Sequence, residues 1–300
     1  MKKKVLILAG GYSKEREISI KTGKEVYKSL KNKYNVKLLD PSKGLINELR
    51  KEKPDIVFNA LHGTYGEDGY VQTILESEKI KYTHSGVYSS SLAIDKEVSK
   101  KIFKKNKILT PPSFKVTSIH KRIQKKIIKK INNSFKFPVV IKPLNEGSSV
   151  GVYICNNKNF VKNLYKLKDY NEILVEKYIP GREIQAAVLG KKKLGAIELI
   201  PSRKFYDYKA KYQKNAKTKH LMPAPLSQVN YNKVNDIALK AHKLLKCRGV
   251  SRSDFRFYNN KFYLLELNTQ PGMTSLSLVP EIAKFKNITF SKLIDFLIKD

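Results

Sequence analysis

Two short segments near the end of the 300-residue chain carry the side chains best suited to chemistry: Arg252-Ser253-Asp254 and Glu266-Leu267-Asn268. Side chains alternate across a strand, so Arg252 shares a face with Asp254, and Glu266 shares one with Asn268. Two carboxylates and an amide oxygen converging on one surface make a hard-oxygen site suited to Mg²⁺ carrying nucleotide phosphates. Register tests that pairing. A two-residue turn at Asn259-Asn260 would set Asp254 opposite Leu265, on the wrong face. Burying Phe255 and Phe257 with Tyr263, Leu265 and Leu267 requires 254 opposite 266 instead, hence an odd loop or a bulge. An isolated Glu-x-Asn is more often a pair of solvent-facing side chains on an edge strand, so the metal reading needs support from elsewhere.

Support comes from Val139-Val140-Ile141-Lys142-Pro143 followed by Glu146-Gly147-Ser148-Ser149-Val150-Gly151. A lysine ending a buried strand reaches phosphate as a point charge, and a Gly/Ser loop offers N–H groups and hydroxyls beside it. The loop matches neither the Walker pattern nor the dinucleotide fingerprint, and short glycine loops also serve as plain turns. A third signal, Gly10-Gly11-Tyr12-Ser13-Lys14-Glu15, directly follows the first apolar run. Residues there, at the carboxyl end of a parallel strand, face the ligand crevice of an open α/β sheet. Asn59-Ala60-Leu61-His62-Gly63 ends another strand at the same edge; position alone does not decide between a functional and a structural His62.

The elements that position these residues follow from periodicity. In the first third, strands at Val5–Ala9, Val36–Asp40, Asp55–Leu61 and Lys81–Thr83 alternate with helices at Glu17–Lys31 and Gly69–Glu78, the latter capped by Asp68; this is a βαβ pattern with a parallel sheet. A helix at Leu92–Lys105 follows, then strands at Phe137–Lys142, Val150–Ile154, Glu172–Tyr178, Glu183–Leu189 and Leu194–Ile200, with one helix at Asn159–Leu167. A helix at Lys233–Cys247 carries Val234, Ile237, Ala238, Ala241, Leu244 and Leu245 on one stripe. Strands Val250–Tyr258 and Lys261–Asn268 and a helix from about Ser291 complete the reading.

Composition removes other classes. At 41% hydrophobic residues, the chain can fill more than one core. Cys155 and Cys247 lie far apart with no Cys-x-x-Cys spacing, which suggests neither a disulfide framework nor a zinc site and fits a reducing compartment. The apolar run after Lys2-Lys3-Lys4 is short and meets Gly10-Gly11, so it reads as a strand rather than a leader; no run approaches a membrane span, and a soluble, cytoplasmic protein is expected. The 60 Lys+Arg against 26 Asp+Glu give +34, which raises the possibility of a nucleic-acid binder. The lysines are scattered, densest from Lys121 to Lys130 on a helix face, and no nucleic-acid-binding signature occurs. No nucleic-acid or membrane partner is therefore expected, although a positive field draws in ATP.

Taken in order, these and further motifs resemble D-alanine–D-alanine ligases: Gly10 to Glu17, Leu61-His62-Gly63 with Gly66-Glu67-Asp68-Gly69, Tyr82 to Gly86, Asp95-Lys96, Glu146 to Gly151, Tyr206 to Tyr212 and Leu264 to Thr274. The resemblance covers nearly the whole chain. It implies an α/β (α+β ATP-grasp) fold, with an N-terminal open parallel-sheet domain (1–90, Rossmann-like) followed by a two-part clamp, a central part (91–180) and a C-terminal catalytic part (181–300). It implies ATP with two Mg²⁺ (or Mn²⁺), D-alanine as substrate and a homodimer. The carboxylate of one D-alanine would take the γ-phosphoryl group, and the amine of a second would displace phosphate from the acyl phosphate.

Carried over by motif, Asp254, Glu266 and Asn268 look like metal ligands, and Arg252 with the Gly272 N–H would stabilise the tetrahedral intermediate. Lys96, Lys142 and Lys211 resemble nucleotide or intermediate contacts, Glu176, Lys177 and Ile179 the adenine linker, and Glu183 the ribose-binding carboxylate. Glu15, with His62 nearby, would hold the first D-alanine ammonium and Ser277 the carboxylate of the second. Ser148 and Tyr212 would link to Glu15 and steady a closing loop from about Phe205 to His220. Tyrosine at 212, where ester-forming relatives carry phenylalanine, favours the dipeptide. Departures such as Lys14 and the short Asn259-Asn260 turn lie outside the implied site. Another ATP-grasp carboxylate–amine ligase with a different amino acid would share the metal residues but need not keep Glu15, His62 and Tyr212.

Overall fold

The computed structural model describes residues 2–41, 44–117, 119–120, 123–147, 149–201 and 218–300. Strands β1 (Lys4–Leu8), β2 (Asn35–Leu39) and β3 (Ile56–Asn59) form a parallel sheet in the order β2-β1-β3. Period-two alternation sorts the central strand between two cores: Val5 and Ile7 enter one, Leu6 and Leu8 the other. Helices α1 (Arg16–Leu30) and α2 (Leu45–Glu52) make the crossovers, and α3 (Tyr70–Ser77) follows β3. The expected strand at Lys81–Thr83 is a single parallel bridge between Val57 and Tyr82. Gly69 occupies the cap position of α3, one residue later than expected, while the Asp68 carboxylate accepts from the N–H of Tyr70, the first residue of the helix, at 3.0 Å and from that of Tyr65 at 2.8 Å.

The expected helix over Leu92–Lys105 is two helices, α4 (Val87–Ile94) and α5 (Lys96–Lys105). Asp95 breaks them with an extended backbone, and its carboxylate accepts from the N–H groups of Glu97 (2.9 Å) and Val98 (3.0 Å), so the cap decides where α5 begins.

A second sheet, wholly antiparallel, contains β4 (Ser113–Val116), β5 (Val139–Pro143), β6 (Tyr153–Cys155) and β7 (Ile173–Lys177) in the order β4-β7-β5-β6. Helices α6 (Gln124–Ser134) and α7 (Phe160–Tyr165) cover it through Ile131, Phe160 and Leu164. The third sheet, also antiparallel, contains β8 (Arg182–Leu189), β9 (Lys192–Ile200), β10 (Lys219–Leu221), β11 (Val250–Tyr258) and β12 (Lys261–Asn268) in the order β10-β9-β8-β11-β12.

Helix α8 (Gln228–Leu244) covers one face of that sheet. It starts more than a turn before the expected Lys233, because Ser227 caps it by accepting from the Asn230 N–H. Val234, Ala238, Ala241 and Leu245 are buried along the expected stripe. The opposite face shares one continuous core with the parallel sheet, closed by α9 (Leu278–Phe285) and α10 (Phe290–Lys299). Helices α2 and α9 and the short strands β4 and β10 had no counterpart in the sequence reading.

Candidate active site

Across β11 and β12, Arg252 lies opposite Asn268 and Asp254 opposite Glu266. Directly opposed residues project to the same side of an antiparallel pair, as do residues two apart on one strand, so all four side chains occupy one face. The turn is nonetheless the two-residue Asn259-Asn260, both residues at positive φ (47° and 58°), as tight hairpins require. A bulge one step beyond Phe255↔Leu264 leaves Leu265 out of the ladder and brings Glu266 opposite Asp254. The expected pairing is therefore reached through a bulge. The buried stripe differs from the expected one: Phe262, Leu264 and Leu267 are buried with Phe255, whereas Tyr263 and Leu265 are half-exposed, because the bulge reverses the alternation between 264 and 267.

The Arg252 guanidinium donates to both Asp254 oxygens, Nε to Oδ1 at 2.7 Å and Nη2 to Oδ2 at 3.0 Å. Lys96, the first residue of α5, lies 3.8 Å from Glu266 and donates to the carbonyls of Leu144 (3.2 Å) and Glu146 (2.7 Å). Burial lowers its pKa, and Glu266 opposes that only in part. Deeper in the cleft, Glu176 Oε1 lies 2.6 Å from Lys142 Nζ and its Oε2 lies 2.9 Å from Lys100 Nζ. Burial favours protonating Glu176, but Lys100 and Lys142 outweigh it and hold the carboxylate below its ordinary pKa. Lys142 ends above its ordinary value, since the attraction of Glu176 and Glu266 exceeds the effect of burial.

The Asn268 side chain accepts from the Gln270 N–H at 2.7 Å. Gln270 is itself clasped by the parallel sheet: its amide donates to the Leu61 carbonyl, and its oxygen accepts from Asn59 at 2.9 Å. His62, three residues past the end of β3, has both ring nitrogens engaged, Nδ1 with Glu67 (3.0 Å) and Nε2 with Thr22 (3.1 Å), which fixes the ring in place. Glu15, at the start of α1, is buried beneath two close loops. A Cβ on Gly63 or Gly147 would come within 2.7 or 2.9 Å of its Oε2, so only glycine lets both loops close over the carboxylate. Gly272 is packed against Ser277, which caps α9 and whose hydroxyl accepts from the Thr274 N–H at 3.0 Å.

Two adjoining cavities result. One of about 220 Å³ is lined by Glu15, His62, Arg252, Asn268, Gly272 and Ser277. The other, about 70 Å³, lies between the two antiparallel sheets and is lined by Lys142, Glu176, Lys177, Ile179, Glu183 and Asp254. Lys96, Glu146 and Glu266 border both. Lys14, outside the expected site, donates to Glu146 Oε1 and the Tyr170 hydroxyl, both at 3.0 Å. Ser148, Lys211 and Tyr212 lie outside the described residues.

Among the described residues no group of three or more His, Cys, Asp or Glu side chains could hold a metal ion. The donor set is two carboxylates and one amide oxygen, which suits Mg²⁺, an ion that binds through one or two carboxylates and completes its shell with phosphate oxygens and water. The arrangement thus juxtaposes a cation-lined cleft for a polyphosphate with a chamber holding a buried carboxylate, an arginine and a helix N-terminus, groups able to bind a small zwitterion.

Several participants were not singled out from sequence. Lys100 follows Lys96 by four residues on α5 and so shares its face, a legible signal. Thr22, Gln270 and Arg256, which pairs with Glu183 at 3.6 Å, join the site through long-range contacts that no local pattern announces, while Glu67 reaches His62 from five residues along the chain.

A family model described as "D-ala D-ala ligase C-terminus" matches residues 102–299, and one described as "D-ala D-ala ligase N-terminus" matches residues 39–85. The chain is 62% identical over 301 residues to the D-alanine--D-alanine ligase of Pelagibacter ubique, covering 100% of this chain and 98% of that one. The structure is similar to the D-alanine--D-alanine ligase from Bacillus anthracis complexed with ATP (TM-score 0.85, 33% identity, 100% of this chain and 96% of that chain). It is also similar to the VanG D-Ala:D-Ser ligase from Enterococcus faecalis (TM-score 0.84, 26% identity, 100% and 99%).

Proposed function

Since the chain belongs to the D-alanine–D-alanine ligase family, an ATP-grasp family of ATP-dependent ligases, we propose how its residues share the work of that reaction. The enzyme joins two D-alanine molecules into D-alanyl-D-alanine for peptidoglycan precursor synthesis. A carboxylate resists attack by an amine until one oxygen becomes a leaving group. One D-alanine carboxylate oxygen therefore attacks the γ-phosphorus of ATP and ADP leaves. The free amine of the second D-alanine attacks the resulting acyl phosphate, loses a proton, and inorganic phosphate departs as the amide forms.

In this reading the smaller cavity takes the nucleotide, with Glu176, Lys177 and Ile179 toward adenine, Glu183 toward ribose, and Lys96 and Lys142 toward phosphate. Asp254, Glu266 and Asn268 would hold two divalent cations, Mg²⁺ or Mn²⁺, which would neutralise phosphate charge when bound. In the larger cavity, Glu15 takes the ammonium of the first D-alanine beside His62, and Ser277 takes the carboxylate of the second. Arg252 and the Gly272 N–H face the carbonyl oxygen as it becomes an oxyanion. Ser148, Lys211 and Tyr212 complete the set. The observation that carries this reading is the common face of Arg252, Asp254, Glu266 and Asn268, with Glu266 bordering both cavities.

No helix among the described residues is long and apolar enough to cross a membrane; the cytoplasm is the location we infer for the enzyme. We further assign residues 1–90, 91–180 and 181–300 to the three parts, with a homodimer as the assembly and neither nucleic acid nor membrane as partner. Phosphate release measured with D-alanine, D-serine and L-alanine, coupled to product identification, tests the substrate. D-alanine should give by far the highest kcat/KM and the dipeptide as product; turnover mainly with L-alanine, or a mixed D-alanyl-D-serine product at equal substrate concentrations, overturns it.

A further inference from the structure

Lys100 has no role in the reading above, yet it is buried, charged and paired with a residue that faces the nucleotide cleft. Its side chain is 3% exposed, and its ammonium sits 2.9 Å from Glu176 Oε2. It lines neither cavity, whereas Lys142, the partner of the other Glu176 oxygen, does. Glu176 Oε2 is itself fully buried, and Lys100 is the cation it meets, so this lysine is what offsets the charge on that oxygen.

The two lysines are not equivalent partners. Lys142 also feels Glu266 and Asp254, so it belongs to the phosphate end of the cleft as much as to Glu176. An arriving triphosphate attracts that ammonium. Lys100, on α5, borders neither cavity and keeps Glu176 as its partner. A buried carboxylate that lost its last counter-ion would take up a proton, because desolvation disfavours the charged form. Protonation would change what it recognises. An ionised carboxylate only accepts hydrogen bonds, so it welcomes the 6-amino group of adenine and repels the 6-carbonyl of hypoxanthine or guanine; a protonated one can donate to that carbonyl.

We propose that Lys100 is a positioning residue for nucleotide specificity, holding Glu176 ionised and aimed so that a 6-amino purine is selected over a 6-oxo purine. The proposal rests on the placement of adenine beside Glu176. Dependence of the ammonium on its partner agrees with it: burial draws Lys100 down to about 8 despite the attraction of Glu176.

The test compares Lys100→Met, Lys100→Arg and Glu176→Gln with the parent, using kcat and KM for ATP and for inosine triphosphate at saturating D-alanine. Lys100→Met should lower the ATP-over-ITP ratio of kcat/KM by about 10-fold, chiefly through a higher KM for ATP, and Lys100→Arg should restore most of the ratio. Binding titrations with ADP and IDP on the folded fraction give the same ratio if Lys100→Met is less stable. A ratio that moves in Glu176→Gln but not in Lys100→Met, by kinetics and titration alike, overturns the role of Lys100. A ratio unmoved in Glu176→Gln overturns the adenine placement instead.

Discussion

Asp254 and Glu266 face each other across β11 and β12, one step past a bulge that turns Leu265 out of the ladder. The bulge does two things together. It puts Glu266 on the same face as Asp254, Arg252 and Asn268, and it leaves Leu265 on the wall of the cleft between the antiparallel sheets. A regular ladder through the same two-residue turn would send Glu266 toward the core, where an unpaired carboxylate is costly.

From that pairing, Asp254→Asn and Glu266→Gln should each lower kcat by about 100-fold or more, because phosphate charge would then be met by one carboxylate fewer. Both replacements are nearly isosteric, so thermal unfolding midpoints should stay near the parent value. Phosphate-release kinetics with differential scanning fluorimetry check this, and near-parental turnover in either variant removes the metal assignment.

Leu265→Ala should raise KM for ATP by about 10-fold with little change in KM for D-alanine, since it removes apolar surface from the smaller cavity, proposed for the nucleotide, but not from the larger one. Equal changes in both constants would mean that the bulge had collapsed.

The clasp between Gln270 and the parallel sheet yields a different pattern. Gln270→Leu keeps the volume but leaves the Leu61 carbonyl and the Asn59 amide without that partner. Because Gln270 adjoins Asn268 and leads into Gly272, kcat should fall about 10-fold or more while nucleotide affinity, read by ADP titration, holds. Loss of ADP binding alone would place its influence elsewhere.

Acid should destabilise the fold through two buried histidines. Burial lowers His242 to about 4 and His84 to about 3, both from about 6.5 when unfolded. Each folded-state pKa is depressed, so the unfolded chain binds more protons between the two values. The stability these neutral rings contribute is complete above about 6.5 and is lost as pH falls through that window toward 4 and 3, up to about 3 kcal/mol for His242. Its Nδ1 meets the Ser251 hydroxyl at 2.7 Å, a contact asparagine can imitate. Denaturant midpoints for His242→Asn should therefore depend less on pH between 7 and 5 than those of the parent; identical slopes would exclude His242 as a source.

Much of this molecule is local, and so was legible in the chain. Alternating apolar residues placed β1, β11 and β12 to within a residue, and the incompatibility of the Asn259-Asn260 turn with a shared carboxylate face already demanded an irregular pairing. A motif such as Glu266-Leu267-Asn268 keeps its meaning in sequence because strand geometry alone decides which of its side chains face together.

What only the tertiary structure decided depends on residues far apart in sequence meeting in space. The pairing of Lys100 with Glu176, the seating of Gln270 on Asn59, the bracing of His62 by Thr22, and which residue carries the bulge are all outcomes of packing between segments. The split of a single expected helix from Leu92 to Lys105 into two has a local cause instead, because the Asp95 carboxylate serves the N–H groups of Glu97 and Val98 as a cap. Sequence pattern records which face of each element is apolar; which faces meet, and which buried charges find one another, is settled by the assembled core.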